Sequence, residues 1–179
     1  MAPFTESDYC ENPLDYWILR DGGVALYRKP EILADDLNWL RNEKYQIYSF
    51  DCQRWVSEEA MHADWQSVLS FPSYYGCNIN AFEDCLSDVT VPSEGGTAVL
   101  LRRFDIYSKG AGALLMHSGR TQAHVILDIL VCTSRYFLLF GKRFLTLVQT
   151  DDPRADYGRL GGVSARWNRR EWLNKNRGL

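Results

Sequence analysis

The feature that most constrains this chain is the alternation of short β-prone runs with stretches of helical spacing. Tyr45-Gln-Ile-Tyr-Ser-Phe50 alternates like a strand, Thr97 to Phe104 is apolar and β-prone, and Phe144-Leu-Thr-Leu-Val148 reads as a buried strand. Helical signals lie between them. Pro30 opens a helix carrying Ile32, Leu33, Leu37 and Leu40. Ser57 caps a second, with Glu58 and Glu59 in the first turn and Met61, Trp65, Val68 and Leu69 beyond. Asn78 caps a third. Gly119 to about Phe140 fits a buried strand or a buried helix, and its length favours helix. Ahead of these, Tyr16–Arg20 and Val24–Arg28 read as two strands of a hairpin, with Asp21-Gly22-Gly23 as its turn. The order predicts an α/β fold with a small parallel sheet.

The chain has 179 residues, enough for one domain with a real core. Its 46% apolar and 24% charged content excludes a disordered or low-complexity chain. The five cysteines are odd in number and form no C-x-x-C pair. With His62, His117 and His124 they give no zinc spacing, so no metal, cofactor or disulfide is expected. The N-terminus lacks a basic-then-apolar stretch. Val125–Phe140, interrupted by Asp128 and Arg135, reads as too short to span a bilayer. A cytoplasmic, soluble monomer without membrane contact is the expectation.

Enzyme signatures are missing: there is no P-loop, G-x-S-x-G or H-E-x-x-H. Gly110-Ala-Gly112 lacks the third glycine of a nucleotide loop. His117 and His124 lack a third metal ligand, which favours structural roles. Asp151-Asp152 ends a strand, where α/β enzymes keep acids, but a solvated turn before Pro153 is the better reading. Charge divides unevenly. Residues 1–90 hold 16 acidic and 6 basic side chains, and residues 91–179 hold 7 and 14. Such asymmetry points either to charged partners or to pairing within the fold. The tail from Arg166 mixes cations with Trp167 and Trp172, as nucleic-acid surfaces do. The pI of about 5.6 argues against direct nucleic-acid binding. Docking of Trp167, Trp172 and Leu173 on the body, with the cations in solvent, is expected instead.

The segment 71–89 is the informative one. Ile79, Phe82, Leu86 and Val89 share one helix face, and Asn80, Asp84 and Asp88 another, with Glu83 beside them. Tyr74, Tyr75 and Gly76 lead into this helix. Periodicity alone is also met by an ordinary amphipathic helix with a solvated face.

Pro72-Ser-Tyr-Tyr-Gly76, Asn78, Ala81 and Asp84-Cys85-Leu86 resemble the signature of the barstar family, intracellular inhibitors of barnase-type ribonucleases. The resemblance is dense over 71–88 and looser over about 45–150. It implies a three-stranded parallel sheet packed by helices, and a helix at 120–140. Residues 1–44, read as a hairpin and helix, and the basic tail 151–179 would then be additions to a domain at 45–150. The resemblance further implies that this loop and helix plug a ribonuclease active site. Tyr74, Gly76 and Asn78 match the loop positions and Asp84 the central acid, with Asn80, Glu83 and Asp88 completing the partner-binding set. Two positions depart from the family pattern: Asn80 stands where an acid is common, and Glu83 where an aromatic is common. They point to a target other than barnase. The expected function is a non-catalytic inhibitor or immunity protein forming a 1:1 complex with a toxin nuclease. The alternative is a barstar-like adaptor without nuclease inhibition.

Overall fold

The computed structural model describes residues 3–179. Its strands are β1 (Val24–Tyr27), β2 (Tyr45–Asp51), β3 (Gly96–Arg102), β4 (Phe144–Gln149), β5 (Arg159–Leu160), β6 (Val163–Ser164) and β7 (Arg166–Trp167). The α-helices are α1 (Glu6–Glu11), α2 (Leu14–Arg20), α3 (Pro30–Asn42), α4 (Glu58–Leu69), α5 (Ile79–Ser87), α6 (Phe104–Lys109) and α7 (Gln122–Leu139). Five strands form one parallel sheet in the order β2-β3-β4-β1-β7, and β5-β6 is a small antiparallel ribbon.

Parallel strands need cover on both faces, because their crossover helices lie against the sheet. Alternate residues accordingly feed two cores. Val24, Leu26, Val99, Leu101, Phe144 and Val148 face a core that includes residues of α4, α5, α6 and α7. Ala25, Tyr27, Ala98, Leu100, Leu145 and Leu147 face a second core with Leu14, Trp17 and Ile18 of α2 and Ile32, Leu33, Leu37 and Leu40 of α3. The ambiguous segment is helix α7, capped by Thr121. It is long and apolar enough to cross a membrane by length and composition, yet over half of it is buried in the fold as a core helix.

The N-terminal hairpin does not form. Residues 14–20 are helical because Leu14, Trp17 and Ile18 recur at helical steps and bury against the sheet. Gly22 and Gly23 supply positive φ, as a hairpin turn would, but here they end the helix. Gly23 N–H donates to the Ile18 carbonyl at 2.8 Å. The chain then enters β1, which pairs in parallel with β4, Val24 opposite Thr146.

The sheet therefore has five strands rather than three. β1 covers the edge that β4 would otherwise expose, and β7 adds a short pairing outside it. A buried carboxylate ties α2 to the neighbouring strands. Asp15 accepts from the Tyr45 hydroxyl at 2.6 Å and from Arg143 at 2.9 Å.

The tail docks differently from expectation. Trp167 packs against the first core, but Trp172 and Leu173 stay about half exposed. The cations are the docking groups. Arg170 pairs with Asp35 at 2.8 Å and Asp36 at 2.7 Å, and buried Arg177 donates to the carbonyls of Glu171 and Pro153. Glu171, wholly buried, accepts the backbone N–H groups of Arg28 at 3.1 Å and Lys29 at 2.8 Å. Lys29 is the N-cap of α3 and makes no side-chain cap, so the distant carboxylate serves that helix end. Glu171→Ala leaves two backbone donors without an acceptor and is expected to cost about 2–4 kcal/mol. Urea denaturation checks this, together with faster proteolysis of residues 150–179.

Candidate functional site

The loop 72–78 and α5 form one presented surface. Asn78 builds the junction: its side chain accepts the Ala81 N–H at 3.0 Å, capping α5, and donates to the Gly76 carbonyl at 3.1 Å. Gly76 is constrained by that contact, since an added Cβ would lie 2.9 Å from the Asn78 amide nitrogen. Cys77, with φ of 47°, turns the chain into the helix. Adjacent tyrosines point opposite ways. Tyr74 is 82% exposed, while Tyr75 is buried against Phe71 and His62.

α5 is anchored from behind. Phe82 and Leu86 are fully buried, each contributing about 1.5–3 kcal/mol, and Ile79 and Cys85 are packed beside them. Asn80, Glu83, Asp84 and Asp88 are all exposed on the outer side. Between the loop and the end of α5 lies a groove of about 440 Å³, whose lining includes Tyr48, Phe71, Tyr74, Cys85 and Asp88. The structure thus brings the seven expected partner-binding residues onto one loop–helix unit. Sequence reasoning assigned Tyr48, Tyr75 and the buried His62 no part in the partner-binding set. The step-of-four spacing of Glu58, His62 and Gln66 on α4 is a signal that could have marked His62.

The placement of the acids is informative. Helix electrostatics favours acids in the first turn, where α5 has none. Its acids lie in the second half, and Asp84 and Asp88 stand four apart, a like-charge spacing that costs about 0.2–0.5 kcal/mol. Helix stability therefore does not account for them. Among the described residues, no cation lies within 4.0 Å of Glu83, Asp84 or Asp88. Elsewhere five acids of the N-terminal half pair with arginines of the C-terminal half. Asp15 meets Arg143, Asp21 meets Arg166, Asp35 and Asp36 meet Arg170, and Asp51 meets Arg103. Part of the charge asymmetry is thus met within the fold, and the α5 row is among the acids that stay open. Burial pushes the Cys85 thiol pKa up, and the Asp88 and Asp84 charges add to that shift.

A second cavity, of about 620 Å³, includes Asp152 and His124 in its lining. Its polar groups are largely engaged with neighbours: Lys109 bonds Asp152 at 2.6 Å, Arg120 bonds Asp128 at 3.1 Å, and His124 Nδ1 bonds the Tyr157 carbonyl at 2.9 Å. Asp151, exposed, accepts from Gln149 at 2.9 Å.

Burial holds the His62 pKa below the ordinary histidine value of 6.5, against the upward pull of Glu58 and Glu59. The unfolded chain therefore binds the proton more readily than the folded one, and folding stability falls as pH drops below about 6.5. Replacing His62 with Leu should remove that part of the acid sensitivity. Urea midpoints of both proteins between about pH 5 and 7.5 measure it, the wild type losing more on acidification.

A family model described as Barstar (barnase inhibitor) matches residues 45–136. The match spans β2 into α7 and encloses the loop and α5. A search of curated proteins finds no match. With just over half of its length matched, and with the capped acidic helix lying within that half, the chain belongs to the barstar family.

Proposed function

We propose that this protein is a non-catalytic inhibitor, of the immunity or antitoxin kind, that blocks the active site of a ribonuclease with loop 72–78 and α5. The observation that carries the reading is the row Glu83, Asp84 and Asp88, three acids exposed together on one anchored helix with, among the described residues, no cation within 4.0 Å. A ribonuclease holds phosphate with cationic side chains. A carboxylate on a rigid helix takes the phosphate position and forms charge-assisted hydrogen bonds there. Asp84 sits at the centre of the row, flanked by Glu83 and Asp88, with Tyr74 beside the adjoining groove. Anchoring by Phe82 and Leu86 leaves little ordering entropy to lose on binding. Action in the cytoplasm as a monomer, in a 1:1 complex, belongs to the same proposal.

A second reading, as an adaptor for another protein, rests on Tyr136, Leu139 and Phe140. They are exposed at the end of α7, and the first reading does not use them.

The test measures inhibition of RNA hydrolysis by a panel of small basic barnase-type ribonucleases. Wild-type protein is expected to titrate at least one of them stoichiometrically. Asp84→Ala, shown folded by circular dichroism, is expected to lose about 2–5 kcal/mol, because enzyme cations are left unpaired. That is roughly 30-fold to several thousand-fold in affinity. Asn80→Ala should lose less, since a neutral amide makes weaker hydrogen bonds than a carboxylate. The association rate should fall as salt rises, and fall less steeply in the Asp84 variant. Inhibition by a folded Asp84→Ala protein at wild-type affinity would remove α5 from the mechanism. Failure against the whole panel would favour the adaptor.

A further inference from the structure

The loop 72–78 has little backbone structure of its own. Within residues 72–77 the one backbone–backbone hydrogen bond among the described residues is Tyr75 N–H to the Pro72 carbonyl, at 2.9 Å. Yet it must hold Tyr74 outward and deliver the chain to the Asn78 cap. The groups that fix it come from α4, where Glu58, His62 and Gln66 follow one another at steps of four on one side of the helix.

Each makes a distinct contact. Gln66 Nε2 donates to the Pro72 carbonyl at 3.1 Å, the same oxygen that receives the Tyr75 N–H. The His62 ring, with no exposed surface, is hydrogen-bonded through Nδ1 to the Tyr75 hydroxyl. The Glu58 carboxylate lies 3.5 Å from His62 Nε2 on the other side of the ring. Among the described residues Nε2 makes no hydrogen bond, so Glu58 acts on the ring as a nearby negative charge that favours a proton on Nε2; in that neutral tautomer Nδ1 accepts and the Tyr75 hydroxyl donates. The Tyr75 ring is also wedged against Phe71, with centroids 5.0 Å apart.

An apolar side chain at position 62 would fill the space but give the tyrosine no direction. A hydrogen bond fixes where the hydroxyl lies, and leaving a buried hydroxyl unpaired is costly. With Tyr75 held inward, the turn closed by its N–H and the Pro72 carbonyl presents Tyr74 outward.

We propose that Glu58, His62 and Gln66 form a positioning ladder that sets the conformation of loop 72–78, so that α4 governs the affinity of the partner-binding surface without touching the partner. The proposal rests on the inhibitor reading for its consequence in binding, but its structural half is testable without any nuclease.

The experiment compares Tyr75→Phe, which deletes only the hydroxyl, with His62→Leu, His62→Asn and the Tyr75→Phe/His62→Leu double variant. Asparagine keeps an acceptor in the region of Nδ1. Amide hydrogen exchange of the free proteins is read first. Amides of residues 73–78 are expected to exchange about ten-fold faster in Tyr75→Phe and His62→Leu, with those of β3, β4 and α7 unchanged. His62→Asn should restore part of the protection. The double variant should be no worse than the poorer single variant, because both remove the same bond. Simple loss of core volume would give additive effects instead. In the ribonuclease assay the single variants should dissociate about ten-fold faster, with the salt dependence of association retained.

Unchanged loop exchange in Tyr75→Phe and His62→Leu, or additivity in the double variant, would overturn the ladder. A loosened loop with unchanged inhibition would overturn its role in affinity. Asp84→Ala, measured in parallel, reports separately on the inhibitor reading, because Asp84 is exposed and, among the described residues, no hydrogen bond or ion pair joins it to the ladder.

Discussion

The constraint on which the rest depends is the two-sided burial of a parallel sheet. Residues 97–101 and 144–148 have essentially no exposed surface, so helices must cover them on both faces. One face receives α4 to α7 from the matched segment and the other receives α2 and α3 from the chain that precedes it. The N-terminal residues therefore belong to the fold itself, because without them Ala98, Leu100, Leu145 and Leu147 would face water. The C-terminal residues continue the same logic by pairing β7 outside β1 and placing Glu171 under the start of α3.

This scaffold accounts for the isolation of charge at the candidate site. Arg143, Arg166 and Arg170 are held against Asp15, Asp21, Asp35 and Asp36, which joins the two ends of the chain to the core. Pairs at the surface contribute little each, about 0–1 kcal/mol. Asp15 is different, since it is 1% exposed and its partners would be left unpaired by its removal. These three arginines are thereby committed elsewhere. The carboxylates of α5 remain available to an outside partner, on a helix seated by Phe82 and Leu86.

The candidate site was readable because it is local. The Asn78 cap, the buried face of Ile79, Phe82 and Leu86, and the outward row of Asp84 and Asp88 all follow from the spacing of one short helix. The resemblance to the barstar family added the expectation of what that row contacts. The support beneath it was not readable. His62 and Tyr75 are thirteen residues apart, and their bond exists only because α4 and the loop pack together. The tail misled for a related reason. Trp172 and Leu173 are apolar enough to dock, but Arg170 and Arg177 found partners from residues 32–36 and 153–174, so the cations hold the tail.

By itself the sequence determined the helix caps at Ser57 and Asn78, strands read at 45–50, 97–104 and 144–148 and found at 45–51, 96–102 and 144–149, and the α/β class, because each rests on neighbours a few residues away. Only the tertiary structure decided between a hairpin and a helix for residues 14–20. Asp21-Gly22-Gly23 satisfies a hairpin turn and a helix end equally well, since both need residues at positive φ. What tipped the balance was distant: a sheet face needing Trp17 and Ile18 as its cover, and a β4 edge needing β1 as its neighbour. Burial of that kind is a property of the assembled layers, and no window of local sequence contains it.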